Sequence, residues 1–115
     1  MFANPPKLSS IIIRTNNIEI MENFYFALGM GFNKYCQDNG FKKFNYINDS
    51  FKFELLETKQ ESETSKNLEF ELIIDEIDGY LDDIKQFNLE IIAHQSGSHL
   101  IFKDPDGNRV TLTTK

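Results

Sequence analysis

The chain has 115 residues, 40% hydrophobic and 26% charged, which is the length and make-up of one soluble globular domain with a single sizeable core. A net charge of −6, with no basic run longer than Lys42-Lys43, argues against a nucleic-acid partner, whose phosphates demand clustered Lys and Arg. No apolar run approaches the roughly 20 residues needed to cross a bilayer as a helix, so no membrane partner is expected.

Along the chain, "MFANPPKLSS" lacks a charged segment leading into an apolar one, so no secretory signal is apparent and the cytoplasm is the expected compartment. "KLSSIIIRT" is β-branched and predicts a strand. "NNIEIMENFYFALGMGF" puts Ile18, Met21, Tyr25 and Leu28 at helical spacing, with Asn17 placed to cap the start and Gly29 to end the helix in a left-handed turn. Three strand-like runs follow, "GFNKYCQ", "FKKFNYI" and "SFKFELLET", the last two joined by the turn residues Asn48-Asp49-Ser50. The lone Cys36 cannot close an internal disulfide, which suits a reducing compartment, and no activating neighbour stands near it in sequence.

The polar stretch from 58 to 67 lacks apolar periodicity and reads as an exposed linker. The order of elements then repeats. "LEFELII" predicts a strand. "DEIDGYLDDIKQFN" predicts a helix with Ile77, Tyr80, Ile84 and Phe87 on one face. "LEIIAHQ", "SHLIFK" and "NRVTLTT" predict three more strands. A shift of 59 lays the first helix's apolar residues on the second's, and a shift of 57 lays Phe53 and Leu55 on Val110 and Leu112. The expected fold is therefore α+β, a single domain of two tandem βαβββ modules, about 8–57 and 68–114. In each, a helix covers one face of a curved, mainly antiparallel sheet.

Alternation then sorts the strands. Phe53, Leu55, Val110 and Leu112 should face the helices, while Glu54, Leu56 and Thr111 face away. Ser10, Ile12 and Glu69 should face away too. Ser10, Glu54, Glu69 and Thr111 are then equivalent positions around one cleft between the modules. By the 57-residue shift, Phe44 and Tyr46 should join that face with Ile101 and Lys103. Aromatic walls beside a few acids suit a planar or cationic ligand. His99 should also face the cleft and could serve as a general acid or base, whereas His94 has no partner at ligand spacing.

Two motifs add a resemblance. "NFYFALGMGF" is similar to the FY-x-x-x-LG-[FM] of the vicinal oxygen chelate superfamily, and "FKDPDGNRVTL" to its F-x-DPDGN-x-[IV]-E-[LI]. This superfamily includes glyoxalases, bleomycin-resistance proteins and extradiol dioxygenases. DPDG also explains itself as a turn, with proline fixing φ and glycine accepting the left-handed conformation. The resemblance implies metal ligands, typically His, Glu or Gln, at positions that fall here on Ser10, Glu54, Glu69 and Thr111. Neutral hydroxyls at two of the four are poor ligands for a transition ion. The expectation is a metal-free, cofactor-free binder of the bleomycin-resistance kind: a homodimer holding an apolar or aromatic small molecule in its cleft. The alternative is a glyoxalase-like lyase or isomerase, or a dioxygenase-type enzyme, using Glu54, Glu69 and a divalent ion, with His99 as base.

Overall fold

A computed structural model of the chain describes residues 4–87, 91–95 and 99–114, without the side chains of 78, 81, 83, 84, 94 and 95. Ile84 and His94, both singled out by sequence, have their side chains outside that set. The elements are β1 (Ser10–Thr15), α1 (Ile18–Ala27), β2 (Asn33–Cys36), β3 (Lys42–Asn48), β4 (Phe51–Glu57), a 3-10 turn (Glu61–Glu63), β5 (Glu69–Ile74), α2 (Asp78–Gln86), β6 (Ile91–Gln95), β7 (His99–Lys103) and β8 (Arg109–Thr114). Two four-stranded sheets result, ordered β1-β4-β3-β2 and β5-β8-β7-β6. The β1/β4 and β5/β8 pairs are parallel and the remaining pairs antiparallel. Each sheet with its helix is one βαβββ module.

Helix α1 ends as its sequence demands. Gly29 has φ of 103°, its N–H donates to the Phe26 carbonyl, and the Met30 N–H reaches back to Tyr25, a paired closure that satisfies two terminal carbonyls. Its start differs from expectation. Asn17 occupies the capping position, but its side chain makes no capping bond; its amide donates instead to Asn16 Oδ1.

The modules share one core. Phe24 meets Phe87 and Phe102 edge-on at ring-centre distances of 5.4 and 5.7 Å, and Tyr25 lies 4.9 Å from Phe53 and 6.1 Å from Phe70. The two sequence motifs also meet here. The Tyr25 hydroxyl donates to Asp104 Oδ2 at 2.6 Å. The same carboxylate accepts from the backbone N–H of Asp106 and of Asn108, both at 2.9 Å, and from Asn108 Nδ2 at 3.0 Å. DPDGN thus does more than turn the chain: its first aspartate, 2% exposed, is the polar anchor between modules. Burial and the neighbouring Asp104 push the Tyr25 phenol well above the ordinary tyrosine range, so it remains a donor.

The stretch between modules is tied down along one side. Thr58 N–H donates to the Thr15 carbonyl, Ser65 exchanges bonds with the Arg14 backbone, and Asn16 Nδ2 reaches Glu61 Oε2 at 2.7 Å. The whole is broad and thin. Its extents are 44 × 43 × 24 Å and its radius of gyration is 15.2 Å, against roughly 13 Å for a compact chain of this length.

Candidate functional site

The outer face of each sheet, turned away from its helix, is set by strand register, since cross-strand partners point to the same side. In the first module, Ile12 pairs with Glu54, Glu54 with Asn45, and Leu56 with Lys43. This open face carries Ser10, Ile12, Arg14, Lys52, Glu54, Leu56, Lys43, Asn45 and Ile47. In the second module, Glu71 pairs with Thr111, Thr111 with Ile101, and His99 with Thr113. Its face carries Glu69, Glu71, Ile73, Thr111, Thr113, His99, Ile101, Lys103 and Arg109.

Eight of the ten side chains singled out by sequence therefore lie on the open faces: Ser10, Ile12, Glu54, Leu56, Glu69, His99, Ile101 and Thr111. Phe44 and Tyr46 do not. Phe44 pairs with Leu55 and Tyr46 with Phe53, both helix-side residues. Phe44 is 5% exposed in the core, and Tyr46 packs against Phe32 with ring centres 6.4 Å apart. The cause is a difference between hairpins. Asn48 pairs with Phe51, leaving a two-residue turn, whereas Lys103 pairs with Arg109 across a five-residue one. The shift relating the modules is thus 57 between β4 and β8 but 56 between β3 and β7, and a one-residue slip exchanges the two faces. Asn45, not Phe44 or Tyr46, stands opposite Ile101.

Glu69, Thr111, Ile101 and Arg109 line a cavity of about 330 Å³ in the second module, with no contribution from Ser10 or Glu54. Tyr46 instead lines a groove at the seam, with Leu28, Met30, Phe51, Leu72 and Tyr80.

Both carboxylates already have cationic partners. Glu54, 5% exposed, has its Oε1 3.6 Å from the ammonium groups of both Lys43 and Lys52. Glu69 pairs with Arg109 Nε at 3.4 Å. Asn33 and Asn45 hydrogen-bond beside Glu54 at 3.5 Å. Among the described residues, no three His, Cys, Asp or Glu side chains gather as metal ligands. The hydroxyls at Ser10 and Thr111 are weaker donors to a divalent transition ion than imidazole, thiolate or carboxylate, and both carboxylates are engaged by lysine or arginine. Lys43 was missed by sequence reading because it sits one strand away from Glu54, a proximity visible only after register is known, whereas Lys52, two residues along β4, shares the face by alternation alone. Cys36 is exposed and contacts the Gly40 carbonyl at 3.7 Å.

Apolar side chains are exposed on these faces. Ile12, Ile47, Tyr35 and Ile73 are 41, 53, 53 and 65% exposed. No helix among the described residues is long and apolar enough to cross a membrane.

No family model matches the chain, and no curated protein matches it significantly. Solved structures do resemble it. A trypanothione-dependent glyoxalase I from Leishmania major superposes with a TM-score of 0.72 at 17% identity, covering 96% of this chain and 87% of that one. TnmS3, an antibiotic-binding protein from Streptomyces sp. CB03234, gives 0.68 at 15% identity over 99% and 98% of the two chains. The integron cassette protein VCH_CASS1 from Vibrio cholerae gives 0.68 at 18% identity over the same shares.

Proposed function

The chain has the vicinal oxygen chelate fold of glyoxalases and bleomycin-resistance-type proteins, and we propose that it uses that fold to bind a small molecule without a metal, as a homodimer. The observation that carries this reading is Glu54, held between Lys43 and Lys52 on an open sheet face. A carboxylate already compensated by two ammonium groups gains little from a third cation, and hydroxyls at Ser10 and Thr111 add weak donors. What remains is a surface for holding a molecule.

Dimerisation completes the cleft. The chain is broad and thin, and Ile12, Tyr35, Ile47 and Ile73 are left to solvent. A second copy related by two-fold symmetry would set one chain's first-module face against the other's second-module face, forming two equivalent clefts. Ser10 and Glu54 of one copy would then look across at Glu69 and Thr111 of its mate. Such pairing buries apolar side chains worth about 25 cal/mol per Å² removed from water.

Sedimentation equilibrium tests the assembly. The wild type should sediment as a dimer at micromolar concentration, and Ile73→Asp should shift it toward monomer by at least tenfold in dissociation constant. A wild-type monomer would refute this part. Elemental analysis tests the rest: one nickel, zinc or iron per chain, lost in Glu54→Gln, would favour a glyoxalase-like lyase or isomerase. The observation on that side is His99, which shares the open face with Thr113 and Thr111.

A further inference from the structure

We infer that the molecule held against the open faces is an anion: a small aromatic or apolar compound bearing a carboxylate, sulfonate or phosphonate group. This deepens the binding reading above and rests on it. The planar or cationic ligand expected from alternation needed Phe44 and Tyr46 as walls and Glu54 as an approachable acid. Neither condition holds, because both rings face the core and Glu54 lies beneath its lysines.

The layering is quantitative. The Glu54 side chain is 7% exposed, while those of Lys43 and Lys52 are 35 and 43% exposed. A molecule approaching this face meets two ammonium groups before it meets the carboxylate. Each ammonium has three N–H donors, and their common distance of 3.6 Å to one oxygen is that of loose ion pairing, longer than a normal hydrogen bond. Donors therefore remain for an incoming oxyanion. Glu54 holds the two stems together and cancels only one of their two charges.

The first-module face as a whole carries this sign, while the second-module face is balanced. Their described strand residues include five basic side chains, Arg14, Lys43, Lys52, Lys103 and Arg109, against three acidic ones, Glu54, Glu69 and Glu71. A surplus of positive charge on the open faces of a chain whose net charge is −6 is a segregation of sign, and it favours anions locally while the outer surface repels them. Ile12, Ile47, Leu56 and Ile101, interleaved with these cations, supply the apolar contacts. An aromatic acid satisfies both halves of such a surface.

A matched pair of probes tests this: 2-naphthoate and 2-naphthylmethylammonium, identical in rings and opposite in charge, titrated calorimetrically into the intact protein. Naphthoate should bind at least tenfold more tightly, and raised salt should narrow the gap. Glu54→Gln should tighten naphthoate binding severalfold by releasing both ammonium groups, the reverse of what a metal ligand or catalytic base would do. The triple variant Lys43→Gln, Lys52→Gln, Glu54→Gln removes the cluster without stranding a buried charge, and should weaken naphthoate at least tenfold with an unchanged thermal melt. The ammonium probe binding as tightly as naphthoate or more so would overturn the anion assignment and leave the cleft standing. Naphthoate preference untouched in the triple variant would overturn its placement at Lys43 and Lys52. Neither probe binding at millimolar concentration would overturn both the assignment and the binding reading beneath it.

Discussion

Replacing Tyr25 by Phe isolates a single hydroxyl at the junction of the modules. The ring keeps its packing on Phe24, Phe53 and Phe70, so almost no apolar burial is lost. What is lost is the 2.6 Å bond to Asp104 Oδ2, a carboxylate 2% exposed. Asp104 keeps the Asp106 and Asn108 backbone donors and the Asn108 amide. The carboxylate is left one donor short, and a lost bond to a buried charged group costs about 1.5–3 kcal/mol. With a urea m-value of about 1–2 kcal/mol/M for a domain of this size, the midpoint should fall by about 1 M with m unchanged. Protein concentration must be held constant, because dimerisation would raise the apparent stability of every variant. The bond also has a pH consequence. The native phenol stays protonated beyond the ordinary tyrosine range, while the unfolded chain releases that proton near pH 10, so wild-type stability falls as pH rises through that value. Tyr25→Phe should lose that part of the alkaline decline. A midpoint change under about 0.3 M, or a double cycle with Asp104→Asn showing coupling below about 0.5 kcal/mol, would refute the intermodule anchor.

Phe24→Ala should cost about 3–5 kcal/mol in urea unfolding, since the ring is fully buried among Tyr25, Phe87 and Phe102, whereas Phe26→Ala, at 62% exposed, should stay within about 0.5 kcal/mol. Gly29→Ala should cost about 1–2 kcal/mol from backbone strain alone: φ is 103°, and the nearest obstacle to a new Cβ, the Tyr80 hydroxyl, is an unhindering 4.0 Å away. Asp106 is half-buried, and desolvation raises its pKa despite bonds from Thr15 and Asn17. The native state then takes up this proton before the unfolded chain does. Relative to Asp106→Asn, wild-type stability should improve as pH falls toward the ordinary aspartate range; an unchanged difference between pH 7 and 4 would count against it.

The local order of this protein is written in its residues. β-branched runs, the helical spacing of Ile18, Met21 and Tyr25, Gly29 and the DPDG turn each act within a few residues, and each produced the element expected of it. The faces of β1, β4, β5, β7 and β8 followed from simple alternation. Even the repeat was visible, because burying the same helix against the same sheet twice imposes the same apolar pattern twice.

What only the tertiary structure decided depends on distances between segments. The face of β3 turns on the parity of a hairpin loop, two residues in one module and five in the other, so Phe44 and Tyr46 joined the core. The charge at Glu54 depends on Lys43, eleven positions away in sequence but adjacent across the sheet. The meeting of Tyr25 with Asp104 joins residues 79 apart. Short-range sterics select strand, helix and turn; which side chains share a face, and so whether an acid stands open or lies under two cations, is settled only when strands pair in register.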